Sequence, residues 1–125
     1  MDVEKQIAYW WSGATRDLAA ARSLLEKKHP AHALFFAHLA LEKALKAHVC
    51  KTTQQLPPKT HNLVRLAQIA KLFFAEDELD ALRRFDKYQI EGRYPGTVKV
   101  PPNMRIARGD LAWAGKMVNE LKRKL

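Results

Sequence analysis

The spacing of apolar residues in the first quarter of the chain predicts a long amphipathic helix. Apolar side chains recur at intervals of three and four from Ile7 to Leu25, which places them on one face of an α-helix. Asp2 is suited to cap this helix at its N-terminus, and His29 followed by Pro30 is expected to end it. The pattern therefore predicts a first helix over about residues 3–27.

A second predicted helix, over about residues 30–51, is apolar on more than one face. Pro30 suits its first turn, where the missing N–H of proline has no partner to lose. One stripe consists mainly of alanine, a second consists of leucine, and Phe35 and Leu39 add a third apolar edge. A helix of this kind lies at the centre of a fold or against a second molecule. Its clearly polar positions are few and form one arc late in the helix: Glu42, Lys43 and Lys46.

Three further helices are predicted after a loop at residues 52–59. The third spans about residues 62–74, with Thr60 or Asn62 as its cap. The fourth begins at Glu76 and stops near Gly92, and acidic residues in its first turn suit the helix dipole.

The fifth helix runs from Asn103 to the C-terminus, with Ile106 on its inward face. The segment 92–102, which contains two glycines and three prolines, is predicted to be irregular. Strand patterns are nearly absent. The sequence therefore predicts an all-α fold in a single domain, residues 1–125: an up-and-down antiparallel bundle of four main helices plus one shorter helix.

Composition limits the classes of protein that fit. The chain of 125 residues is 47% hydrophobic, so it can bury a core. It has no apolar run long enough for a membrane span and no signal-peptide pattern, and its single cysteine, Cys50, forms no internal disulfide. We therefore expect a cytoplasmic protein. The formal charge of +9 favours a polyanionic partner such as nucleic acid, a nucleotide or an acidic protein.

Three short motifs occur in an order and at a spacing that are typical of one family. They are Ala40-Leu41-Glu42-Lys43-Ala44-Leu45-Lys46-Ala47, Thr60-His61-Asn62-Leu63 and Gly92-Arg93-Tyr94-Pro95. They lie in the second predicted helix, at the turn into the third, and before the last. Together with the opening helix, they make nearly the whole chain resemble a minimal HEPN domain, a nucleotide-binding domain of higher eukaryotes and prokaryotes.

The resemblance implies a helical bundle that pairs into a homodimer, with a cleft where the two copies meet. HEPN proteins are associated with nucleotide binding and RNA processing. Minimal members are often encoded beside a small nucleotidyltransferase, as a toxin–antitoxin or two-component pair. We therefore expect a dimeric, nucleotide- or RNA-associated binding or regulatory module with a nucleotidyltransferase partner.

Two alternatives remain open. The first is a metal-independent ribonuclease toxin. The ribonuclease branch of the family carries an arginine, then a polar residue and a histidine, at the start of the last helix; here no histidine follows His61, so Arg105 and Arg108 lack that partner. His61 is then the candidate general acid or base, unless it serves as a cap or strut. The second alternative is a purely structural partner protein whose second helix binds another chain.

The candidate phosphate-binding residues are Arg93, Tyr94, Glu42, Lys46 and Lys43. A guanidinium grips phosphate oxygens with paired hydrogen bonds, and a tyrosine ring stacks on a base. Alternatively, Arg93 pairs with a buried acid such as Glu42, and Tyr94 fills the bundle. Glu42 and Lys46, one helical turn apart, either face a ligand or form an ordinary helix ion pair.

Metal and cofactor sites are not expected. His38 and His48 are three helical turns apart, about 15 Å, which is too far for two ligands of one ion, and no phosphate-loop or dinucleotide motif is present. The basic residues of the last two long helices form either a polyanion-facing surface or an ordinary solvated face: Arg83, Arg84, Lys87, Arg105, Arg108, Lys116, Lys122, Arg123 and Lys124.

Overall fold

The computed structural model describes residues 1–96 and 100–125, and within them the chain forms five helices and no strands. The helices are α1 (Val3–Glu26), α2 (Pro30–Thr53), α3 (Leu63–Ile69), α4 (Glu76–Arg93) and α5 (Met104–Lys124). The predicted all-α class, with four long helices and one short one, is confirmed. No helix in these two ranges has the length and hydropathy needed to cross a bilayer.

Local signals set most of the helix ends. Asp2, Asn62 and Asn103 each accept a hydrogen bond from the backbone N–H three residues later, at 2.8–3.1 Å, which is the geometry of an N-cap. At the C-terminal ends of α1 and α3, Lys28 and Lys71 take left-handed conformations with φ of 66° and 57°. The next N–H then bonds back five residues, a common way to stop a helix.

Several predicted boundaries and one predicted face are wrong. The third helix ends at Ile69 and not near residue 74, because the left-handed turn at Lys71 breaks it. The second helix continues to Thr53, two residues beyond its predicted end, whereas α4 ends at Arg93, within one residue of its predicted stop near Gly92. On α5, Ile106 is 47% exposed, and the neighbouring Ala107 is the residue buried in the core.

α2 is the central helix of the bundle. It packs against α1, α3, α4 and α5, and most extensively against α1. Its alanine stripe is fully buried, and small side chains allow the two helices to approach closely. Its leucine stripe is buried as well, together with His38 and His48. The predicted central position of this helix is therefore confirmed, and every residue of the site described below is placed relative to it.

A partly buried polar cluster joins α4 to α5. Arg84 donates two hydrogen bonds to the Asp110 carboxylate, at 2.9 and 3.1 Å, and the Tyr88 hydroxyl donates to the same carboxylate at 2.5 Å. Burial, together with the bond to Asp110, raises the pKa of Tyr88 well above its usual value of 10. Tyr88 therefore stays protonated and acts as a fixed donor between the two helices.

His48 links α2 to the end of α5. Its Nε2 lies 2.7 Å from the carbonyl oxygen of Leu121, and because a carbonyl only accepts, Nε2 carries the hydrogen. Burial lowers the pKa of His48 below its ordinary value of 6.5; the bond to Leu121 opposes this shift, and the charges of Lys51 and Lys124 add to it.

This shift predicts a pH dependence of stability. The folded chain holds the His48 ring neutral, so the unfolded chain takes up the proton first as pH falls. The contribution of the neutral ring is fully present above about pH 6.5, the unfolded pKa, and is lost progressively below it. Urea unfolding between pH 5 and 8 measures the effect. A His48→Gln variant keeps a donor for Leu121 and should show a shallower fall; an equal slope in both proteins would assign the effect to other groups.

Candidate functional site

Two of the three sequence motifs meet at Glu42. The Lys46 ammonium donates to Glu42 Oε2 at 3.0 Å, and the other carboxylate oxygen, Oε1, lies 2.8 Å from His61 Nδ1. Glu42 and Lys46 are only 4% and 6% exposed. The predicted polar arc is therefore not an open surface, because its two central residues are enclosed and bound to each other.

His38 and Asp86 hold the turn that carries His61. His38 Nε2 lies 2.9 Å from the His61 carbonyl oxygen and 3.1 Å from Asp86 Oδ1. Both of these oxygens accept, so Nε2 carries the hydrogen. Asp86 Oδ1 also accepts from the N–H of Leu63 at 3.2 Å. The turn at 60–63 is thus fixed from α2 and from α4, and with it the position of His61.

The sequence does not reveal that His38 pairs with Asp86 and holds the turn of His61. A histidine in a leucine stripe is a signal in itself, because a buried polar ring needs a hydrogen-bond partner. The partner, Asp86, lies 48 residues further along the chain, and no spacing rule connects positions so distant. The sequence pattern raises His38 only as a metal ligand, and it does not single out Asp86.

Two buried nitrogen atoms near this cluster have no hydrogen-bond partner among the residues that the structure describes: His38 Nδ1 and Trp10 Nε1. His38 Nδ1 is 3.9 Å from Glu42 Oε1, beyond hydrogen-bond range. The Lys46 ammonium lies 5.1 Å from the centroid of the Trp10 ring, a cation–π contact. Trp10 and His61 thus contact the two members of the Glu42–Lys46 pair.

His61 has the geometry of an oriented base. A carboxylate accepts, so His61 Nδ1 donates to Glu42 and the neutral ring carries its lone pair on Nε2. The side chain is 47% exposed, and Nε2 has no hydrogen-bond partner within residues 1–96 and 100–125. An imidazole held through one nitrogen by a carboxylate, with the other nitrogen free, is able to take up or deliver a proton.

Lys43 lies apart from this cluster. Its ammonium forms an ion pair with Asp17 of α1 at 2.7 Å. A Cβ on Gly13 would lie 2.8 Å from Lys43 Cδ, so the lysine stem crosses α1 at a position where only glycine leaves room. The structure therefore separates Lys43 from Glu42 and Lys46, with which the sequence groups it.

The third motif packs against the N-terminal half of α2. The guanidinium carbon of Arg93 lies 5.7 Å from the centroid of the Phe35 ring, and a Cβ on Gly92 would overlap that ring. Arg93 is the last residue of α4, so it lies outside the predicted irregular segment, whereas Tyr94, the C-cap, is not helical and begins that segment. That segment is shorter than expected, and residues 97–99 lie outside the described part of the chain.

The alternative roles considered for this motif do not match the structure. Glu42 is bound to Lys46 and His61, and its described contacts do not include Arg93. The Tyr94 side chain is 64% exposed and so does not fill the bundle. Phe35 and Glu42 are seven residues apart on α2, which places them on one face with about 10 Å between them along the axis. Arg93 therefore flanks the same face of α2 as the polar cluster.

A pocket of about 290 Å³ opens beside Arg93. Aromatic rings from α2 and α4 line it, with a proline on each side of residues 97–99: Phe35, Phe36, Tyr88, Pro95 and Pro102. His32 and Glu91 add polar edges. The apolar walls suit a ligand that carries a flat ring, and Arg93 reaches the pocket only through its contact with Phe35.

Comparison with known proteins identifies the fold. The family model described as the HEPN domain matches residues 7–123. This chain belongs to the HEPN family. It is similar to the crystal structure of TT1696 from Thermus thermophilus, with 28% identity and a TM-score of 0.79, over 96% of this chain and 98% of that one. It also shares its fold with ST0689, an archaeal HEPN homologue, with 23% identity and a TM-score of 0.73, over 94% and 96% of the two chains. No curated protein matches the sequence.

The nine basic residues of α4 and α5 that could form a polyanion-facing surface divide into two groups. Arg83 pairs with Glu76 and Asp80, Arg84 with Asp110, and Arg123 with Glu120, while Lys122 lies 6.0 Å from the centroid of the Trp11 ring. These residues form intramolecular contacts on α4 and α5. The others have no ion pair within the described ranges: Lys87, Arg105, Arg108, Lys116 and Lys124.

Proposed function

We propose that this HEPN chain forms a homodimer that binds a nucleotide or RNA along the face of α2 between Arg93 and His61. The observation that carries this proposal is the placement of Arg93. Its guanidinium stacks on Phe35 beside the aromatic pocket, on the face of α2 that also carries the His61 cluster, and forms no ion pair within the described ranges.

The chemistry of these groups selects the ligand. A guanidinium without a carboxylate partner binds phosphate oxygens in a bidentate manner. The exposed Tyr94 ring offers a stacking surface for a base, and the pocket beside it has walls of aromatic side chains. The charge of +9 attracts a polyanion over a longer range.

Glu42 and Lys46 act on the ligand through His61 in this proposal. Both are enclosed and bound to each other, so their energetic role is to hold the imidazole in place. Lys43, which is 30% exposed and paired with Asp17, contributes positive charge near the face and not a direct ligand bond.

The homodimer and its partner complete the proposal. Exposed apolar side chains lie on both sides of Arg93 along the chain, at Ile90, Tyr94 and Val100, and pairing through them would line one cleft with two copies of Arg93.

A small nucleotidyltransferase is the proposed partner of this homodimer, in a cytoplasmic toxin–antitoxin-type pair. Sedimentation equilibrium tests the dimer: twice the chain mass of 14.3 kDa supports it, and a single chain mass at all concentrations contradicts it.

Ligand binding is tested by titrating the protein with ATP, GTP and a short RNA at low salt. We expect Arg93→Ala to weaken binding about tenfold or more, because charge-assisted hydrogen bonds contribute about 1.5–3 kcal/mol. Lys87→Ala is the matched control, since it removes one exposed positive charge from the same helix. An equal loss of affinity in both variants would mean that Arg93 contributes only its charge and no specific contact. If the protein binds none of the three ligands, only the role with a partner protein remains.

A metal-independent ribonuclease is the second candidate, and the His61–Glu42 pair favours it. In this reaction His61 Nε2 takes the proton of a ribose 2′-hydroxyl. The 2′-oxygen attacks the adjacent phosphorus, and the bond to the 5′-oxygen breaks. The leaving 5′-oxygen is protonated by an acid, and a 2′,3′-cyclic phosphate remains. Arg93 would stabilise the charge on the phosphate oxygens.

Cleavage of labelled RNA in the presence of EDTA tests this candidate. We expect His61→Ala to lower the cleavage rate about 100-fold or more, the usual size of a general-base contribution. His61→Ala should unfold at a lower urea concentration than wild type, because the buried Glu42 loses one hydrogen-bond partner, so cleavage is measured where both proteins are fully folded. Identical residual cleavage by wild type, His61→Ala and Arg93→Ala would identify a contaminating nuclease.

A further inference from the structure

A second cavity, of about 320 Å³, lies between the end of α1 and the first turns of α5. Its floor is apolar, and three cations surround it: Arg22, Lys28 and Arg108. One carboxylate, Glu26, also lines it. We call this cavity the α1–α5 cleft.

None of the three cations has a side-chain hydrogen bond or ion pair within residues 1–96 and 100–125. Arg83 and Arg84 are paired with carboxylates, whereas the three cations of the cleft, like Arg93 and Arg105, have no ion pair in the described part of the chain. Three like charges around one cavity repel each other, and the single carboxylate leaves an excess of positive charge. An arrangement of this kind gains from an anionic ligand.

The position of Arg22 depends on a glycine in α5. A Cβ on Gly115 would lie 2.9 Å from Arg22 Nη2, so the guanidinium lies directly against the backbone of α5, where a larger residue would displace it. The cleft also contacts Met104, the first residue of α5, and a helix N-terminus adds partial positive charge. The C-terminal end of α1 adds partial negative charge, so the excess of positive charge in the cleft comes from its side chains.

We propose that the α1–α5 cleft binds a phosphate group of an RNA backbone. The inference rests on the proposed function and extends it to a second point of contact. Met104 in the cleft is only two residues beyond Pro102, which lines the aromatic pocket, and Lys28 is three residues before Ala31 of that same pocket. The two cavities thus lie on either side of the α1–α2 turn, and we expect one single strand to span them. Paired arginines match phosphate oxygens, and their attraction is sensitive to salt.

Fluorescence anisotropy with a labelled single-stranded RNA tests the cleft. The test protein is Arg22→Gln/Arg108→Gln. The control is Lys5→Gln/Lys124→Gln, which removes two positive charges at the opposite ends of the same two helices. For the test protein, we expect the slope of log affinity against log salt to fall by about 1.4, since each phosphate contact to a single strand contributes about 0.7. The control should retain most of the wild-type slope.

Two further variants sharpen the result. Glu26→Gln removes the one carboxylate of the cleft and should tighten RNA binding. Gly115→Leu should weaken it by displacing the Arg22 guanidinium while leaving all charges in place. Thermal unfolding checks the fold: Arg22→Gln/Arg108→Gln should melt at or above the wild-type temperature, because it removes repelling charges and no hydrogen bond.

The outcomes separate this inference from the proposed function. If Arg93→Ala weakens RNA binding but Arg22→Gln/Arg108→Gln keeps the wild-type slope, the cleft is refuted and the proposed function stands. If wild type binds no RNA, both are refuted. A titration with ATP in place of RNA distinguishes the source of the phosphate. If Arg22→Gln/Arg108→Gln loses as much affinity for ATP as for RNA, the cleft does not select an RNA backbone. Unchanged affinity for ATP would support an RNA backbone as the ligand.

Discussion

Replacing Glu42 with alanine is expected to lower the free energy of unfolding by about 3–5 kcal/mol, the usual cost of removing one partner of a buried ion pair. The Lys46 ammonium would stay enclosed without its carboxylate, since both side chains are almost completely buried. His61 would lose the oxygen that orients its ring. Urea unfolding measures the stability, and NMR of the His61 ring measures its order.

Two companion variants identify the cause of this loss. Glu42→Ala/Lys46→Leu removes the whole ion pair and should recover much of the stability, because apolar side chains often replace a buried pair at little cost. Glu42→Gln keeps the shape of the side chain and one acceptor oxygen but removes the charge, and should fall between wild type and Glu42→Ala. If Glu42→Ala is as stable as wild type, the pair is solvated and the cluster is not enclosed as described.

Replacing Leu34 with aspartate is expected to unfold the chain. Leu34 is fully buried in the core, where a carboxylate would have no cationic partner, and a buried unpaired charge belongs to the most destabilising class of substitution. Because typical domains are stable by only about 5–15 kcal/mol, little native population should remain. Far-UV circular dichroism and urea unfolding at 25 °C measure the loss.

The adjacent position provides the contrast. Phe35 is only partly buried and lies under Arg93, so Phe35→Asp places its carboxylate where the guanidinium can pair with it. This variant should keep its helices and lose affinity for RNA. Leu34→Met, which conserves volume, should cost less than about 1.5 kcal/mol. Native stability in Leu34→Asp would mean that α2 is not the central helix.

The bundle is predictable from the sequence because its signals are local. Asp2 and Asn103 cap helices through N–H groups only three residues away, and Pro30 fits the first turn of α2. The alanine and leucine stripes of α2 follow from a period of 3.6 residues. Where the signal depends on neighbouring helices, the prediction is wrong: Ile106 follows the apolar period of α5, but it remains exposed because the described helices do not cover it.

The site is predictable only in part, because its geometry comes from contacts that are distant in sequence. Glu42 and Lys46 stand out as polar residues on an apolar helix, but their enclosure depends on Trp10 and His61, which come from two other segments. Gly92 predicts the start of an irregular segment, yet α4 continues through Arg93, which packs on Phe35. A one-dimensional pattern cannot reveal that Arg93 and His61 flank one face of α2.

The central claim is that one face of α2, between Arg93 and His61, binds a nucleotide or RNA. Its most direct test is an NMR titration of the ¹⁵N-labelled protein with a short RNA and with ATP at low salt. We expect saturable shifts of the Arg93 Nε–H signal, the Gly92 and Tyr94 amides and the His61 ring. In Arg93→Ala, the Gly92, Tyr94 and His61 shifts should need about tenfold more ligand to saturate. Shifts confined to the N-terminal end of α1 and the C-terminal end of α5 would contradict this proposal. So would the absence of shifts at concentrations that saturate binding.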